Sequence, residues 1–270
     1  MAIKFLQLLT SPQRSTKTNF QLGCLLAFVA GAVNAGGFLA ISRYTSHMSG
    51  IISGIGDDLA LSNILAVLGG ITLLVSFIMG SATTAMLVNW GQRKRIHSQF
   101  ALPLLVEAFL LLCFGLLGAN LNLYTSLTVP TIALMLCFVM GLQNAIITKV
   151  SRAEIRTTHM TGVVTDIGIE LGKLFYWNRS EEANKKGHVR ANKQKLKAHA
   201  LILSMFLIGG IVGALSFKKV GYGSVIPLSL VLVVIAGLQI YRDIRVIVKG
   251  RTSCALVDSA PGQQEIPKPP

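Results

Sequence analysis

Six stretches of this chain are apolar over lengths that a soluble core does not require. They run from Phe20 to Ile41, Ile64 to Val88, Phe100 to Ala119, Val129 to Lys149, His199 to Phe217 and Val225 to Val248. About 20 residues at a rise of 1.5 Å carry a helix across the ~30 Å hydrocarbon layer of a bilayer. Lipid offers backbone N–H and C=O groups no partners, so each run is expected to be helical. The expected fold is an all-α integral membrane protein with six transmembrane helices. Composition agrees: 52% of the 270 residues are hydrophobic and 13% are charged, about half the charged share of a soluble domain.

Two shorter segments lie between the long runs, Met48 to Ser62 and Met160 to Trp177. Both are rich in Gly and contain acids. They are too polar for ordinary spans and too apolar for ordinary loops, so each half of the protein is expected to carry an additional short broken or re-entrant helix.

The net charge of +14 raises the question of a nucleic-acid partner, and its distribution answers it. Lys and Arg cluster in short segments between apolar runs, as membrane topology requires. With both termini in the cytoplasm and six crossings, every Lys and Arg except Arg43, Lys218 and Lys219 falls on the inner side. If the two short segments also crossed, one basic loop would face outward. The expected partner is therefore a lipid bilayer, with no nucleic acid. The chain divides into a cytoplasmic segment 1–19, a membrane domain 20–248 with a basic cytoplasmic insertion at 178–198, and a Pro-rich cytoplasmic tail 249–270 that is expected to be disordered. Cys24, Cys113 and Cys137 lie inside apolar runs and pair in no C-x-x-C. No disulfide framework, metal site or cofactor is expected.

The chain also repeats itself. AGAVNAGGFLAISRYTSHMSGIISGIGDDLA, from Ala30, matches MGLQNAIITKVSRAEIRTTHMTGVVTDIGIEL, from Met140. Gly31, Asn34 and Ala35 align with Gly141, Asn144 and Ala145. Two extra residues then enter the second copy. Thr45, Ser46, His47, Met48, Ser49 and Gly50 align with Thr157, Thr158, His159, Met160, Thr161 and Gly162, and Asp58 aligns with Glu170. The copies extend over about 20–119 and 129–248. Each holds three long runs, an odd number, so the second copy enters the membrane from the opposite side. This predicts a 3+3 inverted repeat, an architecture frequent in secondary transporters.

The paired T-[ST]-H-M-[ST]-G motifs, each behind an Asn-Ala helix, resemble the YoaK-like family of bacterial multi-spanning inner-membrane proteins. The resemblance covers Leu22 to Ile247. It implies location and topology, and supplies no substrate and no catalytic residue.

The polar residues within the apolar runs are the candidates for function. His47 and His159 stand where a long helix gives way to a short one, and histidine exchanges protons near neutral pH. The alternative role is a local contact that fixes the helix break. Thr45, Ser49, Thr157 and Thr161 flank them and can cap the short helices. If those helices aim their N-termini into a cavity, their free N–H groups favour an anionic or polar solute. Asn34, Gln143 and Asn144 are amides in lipid-spanning helices and need partners, either solute or neighbouring helix. Glu107 lies inside a long run, where a carboxyl is costly unless paired, protonated or wet. Asp166 and Glu170 share a helix face and complete the proton-pathway candidates. Gly50 with Gly54, and Gly209 with Gly213, have the G-x-x-x-G spacing of close helix contact. No nucleophile elbow, zinc motif or phosphate loop is present, and no catalytic or metal-binding residue is assigned. These features predict a small-solute secondary transporter or permease, with proton coupling open. A passive channel, and a membrane enzyme or partner subunit without transport, stay open, as does a homo-oligomer.

Overall fold

The computed structural model describes residues 16–42, 44–94, 99–120, 125–150, 160–176, 190–237 and 240–241, and among them it contains helices and turns but no strand. The helices are α1 (Thr16–Ile41), α2 (Met48–Ala60), α3 (Ile64–Arg93), α4 (Ala101–Ala119), α5 (Thr125–Val150), α6 (Met160–Phe175) and α7 (Lys193–Val220). A 3-10 turn follows at Gly221–Ser224, and residues 225–237 are helical again.

Five of the described helical runs are long and apolar enough to cross a membrane: Phe20–Ile41, Ile64–Arg93, Ala101–Ala119, Leu127–Lys149 and Lys193–Gly237. The last contains 45 residues, about twice what one crossing needs. It is interrupted at Gly221, whose φ of 69° suits a residue without a Cβ. Val225, Leu232, Ile235 and Ala236 beyond the turn belong to the same buried cluster as Leu26, Phe114 and Leu136. Helices α2 and α6 have 13 and 16 residues, or about 20 and 24 Å, short of the hydrocarbon thickness.

The chain breaks where its local chemistry favours breaks. Ser42 and Ser62 adopt positive φ after α1 and α2. Helix α3 then starts on Asn63, whose side chain accepts from the Ala66 N–H at 3.3 Å. Helix α7 starts on Asn192, which accepts from the Lys195 N–H at 3.0 Å. Both are N-caps that satisfy a donor the first turn leaves free. The Asn192 cap starts α7 at Lys193, ahead of the apolar run that begins at His199.

Small residues decide the packing, because lipid tails provide no hydrophobic force between helices and close approach must supply the attraction. Helix α1 lies along α7. A Cβ on Gly209 would overlap the Phe28 carbonyl, one on Gly213 would meet Ala32, and one on Gly36 would overlap the Phe217 ring. Positions rise together along both helices, so they are parallel. Helix α3 lies along α5 in the same way: a Cβ on Gly80 would overlap the Phe138 carbonyl. Ser76 Oγ donates to the Leu134 carbonyl at 2.7 Å and Thr84 Oγ1 to the Leu142 carbonyl at 2.9 Å. Helices α1 and α5 run antiparallel: Gln143 Nε2 donates to the Leu26 carbonyl at 3.1 Å, while Gly37 lies against Leu136. The short helix α2 packs on α3, α6 on α7, and α4 on α5. Large apolar side chains such as Leu65, Leu116, Leu207 and Leu230 point outward, as a lipid-facing surface requires.

Gly209 and Gly213 thus carry the close contact their spacing predicts. Gly50 and Gly54 do not. Gly50 faces the ring of His47 in its own segment, and nothing described lies within 4 Å of a Cβ on Gly54.

Candidate functional site

The break after α1 and the start of α6 open onto one cavity of about 790 Å³. Asn34, Ser46, His47, Met48 and Ser49 line it from the first half, and Asn144, Met160 and Thr161 from the second. Phe77 of α3 and Phe206 of α7 are also in its wall. Four pairs in this lining are equivalent between the halves: Asn34 with Asn144, Met48 with Met160, Ser49 with Thr161, and Phe77 with Phe206. The first three follow from the motif alignment. The fourth follows from the contacts: a Cβ on Gly31 would overlap the Phe206 carbonyl, and one on Gly141 would overlap the Phe77 carbonyl.

The polar groups of this cavity are only partly bonded to one another. Ser46 Oγ donates to Asn34 Oδ1 at 3.0 Å. Ser49 Oγ and His47 Nε2 are 3.3 Å apart. The Oδ1 of Asn144 is buried and has no partner among the described residues. Helix α2 begins at this cavity with no side-chain cap from His47, so its first turn offers donors and the positive end of its dipole. No Lys, Arg, Asp or Glu is among the described lining residues.

Among the residues singled out from sequence, the structure gathers Asn34, His47, Ser49, Asn144 and Thr161 here. Thr157 and His159 lie outside the described residues. The other candidates sit elsewhere. Thr45 is 2% exposed and lines a second cavity, its Oγ1 without a described partner. The Nε2 of Gln143 is spent on the Leu26 carbonyl, an interhelical bond.

Asp166 and Glu170 face α7. Asp166 is 3.4 Å from Lys195 Nζ and 3.5 Å from His199 Nε2. Glu170 accepts from Lys173 Nζ at 2.9 Å and from the Asn192 N–H at 2.6 Å. These two bonds hold the Glu170 carboxyl below its ordinary range, and α6 is too short to be a span. Both acids tie a short helix to its neighbour. Glu107 is fully buried in α4, with no partner for either oxygen among the described residues, and lines neither cavity.

Sequence reasoning missed Phe77 and Phe206, the aromatic walls. Their signal was present: each begins an F-x-x-G, Phe77 to Gly80 and Phe206 to Gly209, and those glycines make equivalent contacts.

Comparison with known proteins places these features. A family model described as protein of unknown function (DUF1275) matches residues 22–238. The UPF0700 transmembrane protein YoaK of Bacillus subtilis (strain 168) is 28% identical over 195 residues, covering 71% of this chain and 81% of that protein. No solved structure matches the chain.

Proposed function

The chain belongs to the DUF1275 family, is YoaK-like and is therefore a multi-pass membrane protein; from that premise we propose that it is a small-solute secondary transporter, with its solute pathway through the cavity shared by the two halves. The observation that carries this reading is the lining of that cavity, where four equivalent pairs of side chains face one space. A structural motif that merely fixed a helix break would serve each half separately. Here the two copies converge, as the discontinuous helices of inverted-repeat transporters do.

The proposed architecture is six crossings in two halves, about 20–119 and 129–248, inserted in opposite directions. Antiparallel α1 and α5 support it, as do two short helices that cannot reach across the bilayer and a 45-residue run turned at Gly221. Both termini lie in the cytoplasm of a bacterium on this reading, because that placement puts nearly all Lys and Arg inside.

The lining also restricts the solute. None of the described lining residues is Lys, Arg, Asp or Glu. The Asn amides, the hydroxyls and the α2 N-terminus offer donors, and Phe77, Phe206, Met48 and Met160 offer apolar contact. A small neutral or anionic solute with acceptor atoms and an apolar part fits this set.

The test is uptake into proteoliposomes across panels of small acids and neutral amphiphiles, with and without a proton gradient. A transporter gives saturable uptake that falls about tenfold or more when Asn34 and Asn144 are both changed to Ala, through loss of the buried amide contacts. Unsaturable flux assigns a passive channel instead, and no flux for any solute rejects the proposal.

A further inference from the structure

A second cavity, of about 320 Å³, lies between α1, α2, α3 and α5. In the second half the corresponding place is filled by ion pairs. Lys195 and His199 of α7 face Asp166, and Lys173 faces Glu170. Counting each half from its Asn cap, Asn63 or Asn192, puts Ala66 where Lys195 stands and Gly70 where His199 stands. The motif alignment puts Leu61 where Lys173 stands, Gly54 where Asp166 stands and Asp58 where Glu170 stands. The first half therefore has neither lysine nor histidine at these places and carries one acid. Ala66, Gly70, Gly54 and Asp58 all line the cavity.

Asp58 has no ion-pair partner among the described residues. Thr45, 2% exposed, lines the same space with an unpartnered Oγ1. A hydroxyl buried without a partner is costly, and Asp58, half-buried, puts a carboxylate on the same space. In the second half the acid in the place of Asp58, Glu170, is met by the Lys173 ammonium and the Asn192 N–H. We propose that the first half meets its acid with a ligand, and that this cavity binds a small protonated amine, its ammonium on Asp58 and Thr45 as the Lys173 ammonium stands on Glu170 in the second half.

The walls decide between an organic amine and a bare metal ion. Ile41, Ile51, Ile55 and Leu73 supply apolar surface. A hard cation requires about six oxygen ligands, and no group of three or more His, Cys, Asp or Glu able to hold a metal occurs among the described residues. The volume lies at the small end of organic-ligand pockets, roughly 300–1,000 Å³. An amine carrying a short alkyl or aryl group uses the acid and the apolar wall together. His47 is in the walls of both cavities, so an occupant here borders the central one.

This inference does not depend on transport, because binding is read on the purified full chain in lipid nanodiscs by calorimetry. The probes are n-butylammonium and benzylammonium, with n-butanol and benzyl alcohol as uncharged matches. Saturable amine binding is expected, with the alcohols about tenfold or more weaker for want of the charge-assisted bond. Asp58→Asn is expected to weaken amine binding by a similar factor. Ala66→Lys, which gives the first half the cation of the second, is expected to abolish it while the unfolding temperature holds. Absence of amine binding, equal binding of amines and alcohols, or retained binding in either folded variant overturns the proposal.

Discussion

Gly141 packs against Phe77 so closely that a Cβ on the glycine would overlap the phenylalanine carbonyl oxygen, and Gly31 stands in the same relation to Phe206. These two contacts join α5 to α3 and α1 to α7. Each links a helix of one half to a helix of the other, so the halves are interlocked and do not sit as separate bundles.

Alanine at Gly31 or Gly141 should destabilise the protein by about 1–3 kcal/mol, the usual range for overpacking. The two variants should match within about 1 kcal/mol, because the obstructing atom is the same backbone oxygen in both halves. Thermal unfolding of each variant in detergent checks this. Alanine at Gly168 or Gly172, where nothing described lies within 4 Å, should leave the unfolding temperature unchanged.

Removing Glu107 should help the fold. Its carboxyl is fully buried, and neither oxygen has a described partner. Burying an unpaired polar group typically costs about 1–3 kcal/mol. Glu107→Gln should keep most of that cost and Glu107→Leu should remove it, raising the unfolding temperature. Transport should persist in both, because Glu107 is not in the central cavity. A loss of uptake in Glu107→Gln would return this residue to the pathway.

Glu170 predicts an acid-sensitive joint between α6 and α7. Its carboxyl is held below the ordinary glutamate value of about 4.3 by Lys173 and the Asn192 N–H. A depressed value means that its stabilisation is fully present above about pH 4.3 and is lost as pH falls through the folded-state value. Wild-type unfolding temperature should therefore drop more steeply below about pH 4.3 than that of Glu170→Gln, which should be less stable at neutral pH. Parallel acid profiles would remove this role.

Bulk at Phe77 or Phe206 should control the central cavity. Phe77→Ala and Phe206→Ala should each widen the range of solutes accepted, and Phe77→Trp with Phe206→Trp should block uptake of the larger ones. Competition uptake with a size series measures the change.

Much of the fold was legible because lipid imposes hard rules. Run length gave the five apolar helical runs that the structure describes, six crossings standing as a proposal, and the G-x-x-x-G at Gly209 and Gly213 gave a real contact. The short helices were legible as interruptions, since acids such as Asp58 and Glu170 broke the apolar pattern. The partners of the acids were not legible. Asp166 and Glu170 read as members of a proton pathway, yet they pair with Lys195, His199, Lys173 and the Asn192 backbone across a helix contact. Nothing in the spacing of a single helix reveals what the neighbouring helix presents. Gln143 and Asn144 illustrate the same limit: adjacent in sequence, one is tied to the Leu26 carbonyl and the other lines the central cavity.

Side-specific labelling tests most directly whether the two halves insert in opposite directions. In a variant with Cys24, Cys113, Cys137 and Cys254 replaced, single cysteines are placed at Arg93, Arg190 and Lys219, and intact cells are treated with a membrane-impermeant maleimide. Cysteine at Arg93 and at Arg190 should stay unlabelled until the cells are opened, and cysteine at Lys219 should react at once. Labelling that puts Arg93 and Arg190 on opposite faces of the membrane would contradict the account.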